Sequence, residues 1–260
     1  MALRRRAQRV DRAVVGFSRV ADIYDRARPE YPSAAVRFLM RRLGLRRGTI
    51  VVELAAGTGK FTRAMRGSNA TIIAVEPTKE MRQVFARRIP DLPVFDGTAE
   101  SIPLPNGFAD AAVAAQAFHW FQPRRALKEI ARVLRRGGAV GLIWNVQDKT
   151  TPWIRKLGAL IEPYGRGARR YRDRRWKNAI VRSRAFTRLQ YRRFRFRILV
   201  DPATVVDRLL SVSFVALQPA PVRRAIARRV RDLLRNDPAT MGRARVEYRY
   251  HTDVYWCYRR

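Results

Sequence analysis

The chain of 260 residues holds one cysteine, Cys257, and two histidines, His119 and His251. A single thiol excludes an intramolecular disulfide and a cysteine-based zinc site. Two histidines are too few for a histidine-rich metal centre, so no metal is expected. No run of about 18 apolar residues occurs, so no segment reads as a membrane span. Acids are scarce: 21 Asp and Glu stand against 55 Lys and Arg, a net charge of +34. The shortage is general, with 13 acids against 27 bases up to Thr150 and 8 against 28 after it. Such a surface attracts phosphates and other anions. A GC-rich coding bias would account for arginine in place of lysine but not for the missing acids. A polyanionic partner, nucleic acid included, and a compositional habit are both open readings of the charge.

Hydrophobic residues make up 47% of the chain, enough to pack a core. The start, "MALRRRAQRV", carries no acid before Asp11 and no apolar stretch of the secretory kind. It reads as a basic arm over residues 1–16. The expected compartment is the cytoplasm; the alternative is a mitochondrion or another organelle, reached through this Arg-rich start. Residues 17–260 read as one domain.

Strand and helix patterns alternate along that domain. Ser33 opens a helix through about Arg42. "TIVVEL" from Thr49 is an apolar β-branched run suited to a strand covered on both faces. "GKFTRAMRG" reads as a helix closed by Gly67, "TIIAV" as a second strand, and Pro77-Thr78 as the start of a helix to Arg88. "LPVFDG" is a weaker third strand and "FADAAVAAQ" a fourth. A helix from Pro123 ends at the paired Gly137 and Gly138, and a fifth strand runs from Ala139 to Asn145. After Asn145 the rhythm changes. "EPYGRGARRYRDRRWKN" has no clean period and reads as a loop or lid within a region spanning 146–188. "LQYRRFRFRILV" alternates as a half-buried strand, two helical stretches follow, and "VEYRYHTDVYWCY" closes the chain as a long strand. The pattern predicts a doubly wound α/β fold, a mostly parallel sheet of seven strands with helices on both faces.

The chemistry gathers at "VVELAAGTGKFT". Glu53 ends a strand, Gly57 and Gly59 form the turn, and a helix begins. In open parallel sheets the crevice beyond the strand ends takes the ligand, and a helix N-terminus there offers free N–H groups. Neither the three-glycine dinucleotide pattern nor a P-loop is present, because Lys60 and Phe61 follow Gly59. Glu76, 23 positions after Glu53, ends the second strand, where an acid can accept both hydroxyls of a ribose.

With "DGTAESIPLPNGFADAAVAAQAFHWF" the set resembles the class I S-adenosylmethionine-dependent methyltransferases, in particular the small-molecule group that includes trans-aconitate methyltransferase-like proteins. The matching blocks are "FSRVADIYDRARPEYP", "VVELAAGTGKFT", "AVEPTKEM", "GTAESIPLP", "AQAFHWF" and "EIARVLRRGGAVGLIWN". The resemblance covers about Phe17 to Asn145 closely and the rest loosely. It implies the Rossmann-like methyltransferase fold, S-adenosylmethionine as cofactor, a cap over it from residues 17–45, a cofactor-binding core at 49–145, and C-terminal strands and helices at 189–260. It places Glu53, Ala55, Gly57, Thr58 and Gly59 at the methionine end of the cofactor, Glu76 at its ribose with Pro77 and Met81 beside it, and Thr98, Ala99 and Glu100 at the edge of the adenine. Thr98 stands where many relatives carry an acid, and Ala55 where many carry glycine. Gln116 would lie under the methionine moiety. Tyr24 and Arg28 belong to the cap, and Arg28 is placed to pair with the cofactor carboxylate.

His119 follows the fourth strand among Phe118, Trp120 and Phe121. A neutral imidazole there serves either as a proton acceptor during methyl transfer or as part of the pocket wall. The substrate wall is expected from Phe118, Trp120, Trp144, Trp153, Tyr164 and Trp176. The activity implied is methyl transfer to an O, N or C nucleophile of a small, anionic molecule. The alternatives are an RNA methyltransferase, or a non-enzymatic methyltransferase fold acting as an RNA-binding assembly factor. The acceptor and the oligomeric state are not given by the sequence.

Overall fold

The computed structural model describes residues 27–167, 171–173 and 175–260. The expected basic arm and Tyr24 lie outside them. Seven strands form one sheet: β1 Ile50–Leu54, β2 Thr71–Val75, β3 Val94–Phe95, β4 Ala109–Ala115, β5 Leu134–Gln147, β6 Gln190–Val200 and β7 Val246–Tyr258, in the order β3-β2-β1-β4-β5-β7-β6. The pairs β1–β2, β1–β4, β2–β3 and β4–β5 are all parallel. The helices are α1 Ser33–Arg42, α2 Lys60–Met65, α3 Lys79–Arg88, α4 Pro123–Val133, α5 Pro152–Ile161, α6 Arg175–Val181, α7 Pro202–Leu210, α8 Ser213–Ala216 and α9 Ala220–Asn236. The sheet and its mostly parallel order are as the alternating pattern predicts.

Several boundaries differ from expectation. Pro32, not Ser33, is the cap of α1, and no side chain closes that end. The helix opened by Pro123 stops at Val133, four residues before the glycine pair, because Leu134 turns extended at φ −73, ψ 143 and begins β5. The stretch read as a lid runs into α6, whose Trp176 and Ile180 are buried. Its apolar signal is diluted by the arginines around it, which hides the helical period. α7 follows the sequence closely: the Asp201 carboxylate accepts from the Thr204 N–H at 2.7 Å.

The chain divides into two compact units. Of the described residues, the first comprises 30–145, 171–173, 175–194 and 252–260. Its core packs Val36, Phe38, Leu39 and Leu43 against Val51, Phe61, Met65, Ile72, Ala111, Ile143 and Trp256. Of the described residues, the second comprises 27–29, 146–167 and 195–251. Its core joins Trp153, Ile154 and Leu157 of α5, Val205, Val206 and Leu209 of α7, Ile226, Val230 and Leu234 of α9, and Val246, Tyr248 and Tyr250 of β7.

Candidate active site

Within the first unit the chain leaves β1 toward β2 on one side, while β4 lies on the other. The turns beyond these strand ends border the crevice where open parallel sheets bind ligands. The backbone there is strained. Ala55 (φ 56), just after β1, and Gln116 (φ 59), just after β4, are two of the three non-glycine residues with positive φ among the described residues. Left-handed backbone costs an L-residue roughly 1–2 kcal/mol. Such outliers collect at functional sites.

The two glycines of the β1–α2 turn do different work. Gly57 has φ 59, and a Cβ placed on it would meet no heavy atom within 4 Å. Its bare face looks onto open space. Gly59 has φ 79, and a Cβ there would lie 2.4 Å from Ile89 Cδ1 and 2.9 Å from Phe85 Cδ2. Gly59 is therefore demanded by the packing of α3 and its following residue against the turn. Met81 and Phe85 of α3 are buried on the same side, whereas Pro77 is exposed.

Glu76 joins the two turns. One oxygen accepts from the Gly57 N–H at 2.9 Å and the other from the Thr78 N–H at 2.9 Å. The carboxyl is 4% exposed, and burial pushes its pKa above the ordinary value against those hydrogen bonds and the charge of Arg82. Arg82 in turn holds the Glu76 carbonyl and Asp96. Glu53 is buried more deeply. It accepts from the Thr62 hydroxyl at 2.5 Å, and burial pushes its pKa up to about 8, with Glu76 adding to the rise. Thr58, in the turn, is buried as well.

The expected adenine edge is a tight turn. Thr98 and Ser101 exchange N–H···O bonds at 3.2 Å, leaving the buried Ala99 and the half-buried Glu100 at the tip. The Glu100 carboxylate accepts from the Gln122 N–H at 2.5 Å and so holds the residue that caps α4. Gln116 is pinned to β5: its N–H donates to Ile143 O at 2.8 Å and its amide to Asn145 O at 3.2 Å. Asn145 then donates to Glu30 O and accepts from Thr252. Glu30 also meets Lys60 at 2.7 Å, and Tyr31 packs edge-on to Phe61, so the segment before α1 is fastened beside the glycine turn.

His119 sits in the short turn Phe118–Trp120, where its Nδ1 accepts from the Trp144 indole N–H at 3.2 Å. That bond assigns the proton of a neutral ring to Nε2. As a proton acceptor, His119 would have to give up Trp144, so the arrangement suits the wall. Trp144 is fully buried and lies within 5 Å of Trp176 and Tyr171, with Phe118 against Trp176. Trp120 flanks the His119 ring at 4.8 Å.

The six expected wall aromatics thus separate. Trp153 and Tyr164 belong to the core of the second unit, where Trp153 meets Tyr248 edge-on at 5.0 Å. Sequence reasoning missed what anchors the others. Tyr171 donates to Asp253 at 2.5 Å, as do Tyr191 at 2.7 Å and Arg193 through two nitrogens. Asp253 is entirely buried, and this carboxylate together with burial pushes the Tyr171 and Tyr191 phenols well above their usual range. The available signal was an acid inside the apolar "TDVYWCY" of β7. Arg28 lies in the second unit and donates to Ser211 O at 3.4 Å.

Comparison with known proteins bears on this geometry. Residues 52–142 match the family described as a methyltransferase domain. A methyltransferase of unassigned activity from Mycobacterium tuberculosis is 37% identical over 225 residues, covering 86% of this chain and 88% of the relative. The chain belongs to the methyltransferases. Among solved structures, this methyltransferase resembles the YcgJ protein of Bacillus subtilis at TM-score 0.58 and 20% identity, over 87% of this chain and 98% of that one. It also resembles geranyl diphosphate C-methyltransferase from Streptomyces coelicolor, solved with S-adenosyl-L-homocysteine, at TM-score 0.50 and 15% identity, over 88% and 76%. These likenesses carry the fold.

The methyltransferase corner can be tested for fit to an adenosyl cofactor. Each Glu76 oxygen keeps a second acceptor site after its backbone bond, and the bare face of Gly57 leaves room beside it. A diol needs two acceptors and space to approach them. The residues present fit.

Proposed function

We propose that this protein is an S-adenosylmethionine-dependent methyltransferase acting on an O, N or C nucleophile of a small, anionic molecule. The observation that carries the cofactor reading is the Glu76 carboxylate, held between the Gly57 and Thr78 N–H groups beside the open face of Gly57. Glu76 would hold the ribose, Gly57 and its neighbours the methionine end, and the Ala99 backbone the adenine edge. When bound, the sulfonium supplies a methyl group already activated for displacement. The task left to the chain is alignment and exclusion of water. Buried Trp144, Trp176 and Phe118 exclude water, and His119 is held in place by Trp144. The net charge of +34 supports an anionic acceptor.

Calorimetric titration of nucleic-acid-free protein with S-adenosylmethionine and S-adenosylhomocysteine tests the reading. Micromolar binding is expected; folded protein that binds neither would refute it. A second reading, methyl transfer to RNA, is favoured by one surface. Arg224, Arg228, Arg229, Arg231 and Arg235 are exposed on α9, where Asp232 is the one acid. Methyl incorporation into RNA that falls steeply with salt would support that acceptor instead.

A further inference from the structure

The first unit carries a basic surface that the cofactor reading does not use. α1 starts beside the glycine turn, and the chain after it passes through Arg46 and Arg47 to reach the start of β1 at Ile50. The start of β4 is tied to that point, because the Asp110 carboxylate accepts from the Ile50 N–H at 2.6 Å. β5 begins alongside, with Leu134 opposite Ala109 in the parallel pair. β7 and the residue after it fasten these pieces: the Tyr258 hydroxyl donates to Arg42 O at 3.0 Å, and the Gly137 N–H donates to Arg259 O at 3.0 Å. Residues 41–50, 106–110 and 134–138 therefore meet at one end of the sheet. The glycine corner lies at the other end of the five-residue β1, about 15 Å away.

These three segments hold six arginines and one acid. The acid, Asp110, is committed to the Ile50 N–H and to Arg135 at 2.6 Å. Arg41, Arg42, Arg46, Arg47 and Arg136 are exposed, and none pairs with an acid among the described residues. Bases in a last helical turn complement the helix dipole, which accounts for Arg41 and Arg42. It does not account for Arg46, Arg47 or Arg136, which stand on a loop and a strand start. The turn into β1 has no need of the Arg46 side chain either: the Thr49 hydroxyl bonds the Arg46 N–H at 3.0 Å and its carbonyl at 2.7 Å. Like charges gathered without acids repel one another, and a bound anion relieves that repulsion. Arg42 is already positioned, its Cζ lying 5.1 Å from the Phe38 ring centre and 5.3 Å from that of Trp256. Ring contacts hold a guanidinium without neutralising it.

The same sheet end presents an aromatic ring. Phe108, directly before β4, is 41% exposed and is the one large exposed hydrophobic side chain in these segments. A membrane surface asks for several apolar groups to insert. Exposed arginines around a single exposed ring suit single-stranded nucleic acid, whose phosphates track cations while a base stacks. We propose that this end of the first unit binds single-stranded nucleic acid, with phosphates on Arg42, Arg46, Arg47 and Arg136 and a base on Phe108. Nucleic acid held there is a bound partner and not the methyl acceptor, because the crevice lies at the opposite sheet end. Nothing in this binding requires the methyltransferase reading.

The test is fluorescence anisotropy of a labelled oligouridylate of about twelve nucleotides, within the usual site size, with the nucleic-acid-free full chain at several salt concentrations. At about 0.7 per phosphate in a single strand, the four contacts contribute about −3 to the slope of log affinity against log salt. Arg46→Gln with Arg47→Gln should make the slope shallower by about 1.4 and weaken binding at low salt. Phe108→Ala should weaken binding about tenfold with the slope unchanged. Arg228→Gln with Arg229→Gln on α9 removes the same charge from the second unit and should leave affinity within about twofold. The melting temperature and S-adenosylhomocysteine affinity of the Arg46/Arg47 variant should match the wild type, since both side chains are exposed and far from the glycine corner. Wild type that does not bind the oligonucleotide would overturn the proposal, as would Phe108→Ala that binds it fully. Equal weakening by the α9 pair would overturn it by showing that the charge acts as a whole. Displacement of the oligonucleotide by S-adenosylhomocysteine would do so by placing the strand in the crevice, and binding to phosphatidylserine vesicles in place of the oligonucleotide would assign the surface to a membrane.

Discussion

Replacing Glu76 by alanine perturbs the corner at its centre. In the ligand-free protein two backbone donors, the N–H groups of Gly57 and Thr78, lose their acceptor. Each orphaned buried donor costs about 1–3 kcal/mol. Two effects reduce that sum: the buried carboxylate, whose pKa is already pushed up by desolvation, is gone, and water can enter the space. The variant should therefore fold, with stability lowered by about 1–3 kcal/mol overall. Its effect on binding is larger in relative terms. A ribose hydroxyl donating to a charged acceptor contributes about 1.5–3 kcal/mol. At about 1.4 kcal/mol per decade, the affinity for S-adenosylhomocysteine should drop by at least about tenfold. Calorimetry gives the affinity and denaturant unfolding the stability. A ligand lacking both ribose hydroxyls supplies the control: it should bind wild type weakly and Glu76→Ala no worse. A folded Glu76→Ala that binds S-adenosylhomocysteine as wild type does would refute the placement of the ribose.

The two glycines of the turn separate packing from binding. Gly59→Ala must push its Cβ into Ile89 and Phe85 at a left-handed φ, so unfolding should show a loss of about 2–4 kcal/mol. Gly57→Ala meets nothing and should cost about 1 kcal/mol of stability, yet weaken S-adenosylhomocysteine strongly, because its methyl enters the space beside Glu76. Ala55→Gly should stabilise the protein by up to about 1 kcal/mol by relieving the φ of 56; a loss in unfolding experiments would show the strain to be misread. Glu53 has its folded pKa raised from 4.5 to about 8, so its favourable contribution is whole below the unfolded value and is lost as pH rises through about 8. Measured against Glu53→Gln, wild-type stability should therefore decline from pH 5 to pH 9, and a flat difference would exclude a buried, protonated Glu53.

The strands and the glycine corner were legible because their signals are local. An apolar run such as "IVVEL" needs only its own side chains to declare burial on both faces, and β1 indeed lies between the parallel β2 and β4. The division of labour between Gly57 and Gly59 was not legible, since it depends on Phe85 of α3 and Ile89 just after it, 26 and 30 positions later. α6 was lost among arginines, and nothing in that stretch marks Trp176 as buried. Asp253 shows the limit most plainly. Its partners Tyr171, Tyr191 and Arg193 are 60 or more positions away, and nothing near them in sequence marks them as one network.

Charge supplies the remaining contrast. A chain with 21 acids and 55 bases has little reason to spend acids in its interior, where solvation is lost. Yet Glu53 and Glu76 are both buried at the ends of neighbouring strands, close enough that Glu76 raises the pKa of Glu53. Each is retained by specific donors: the Thr62 hydroxyl for one, two backbone N–H groups for the other. Ala55 adds left-handed backbone at the end of β1, and Gln116 at the end of the adjacent β4. Folding alone gains nothing from two desolvated carboxylates beside strained backbone. A hydroxyl-bearing ligand at that corner gives one of those carboxylates, Glu76, the partners that justify its cost.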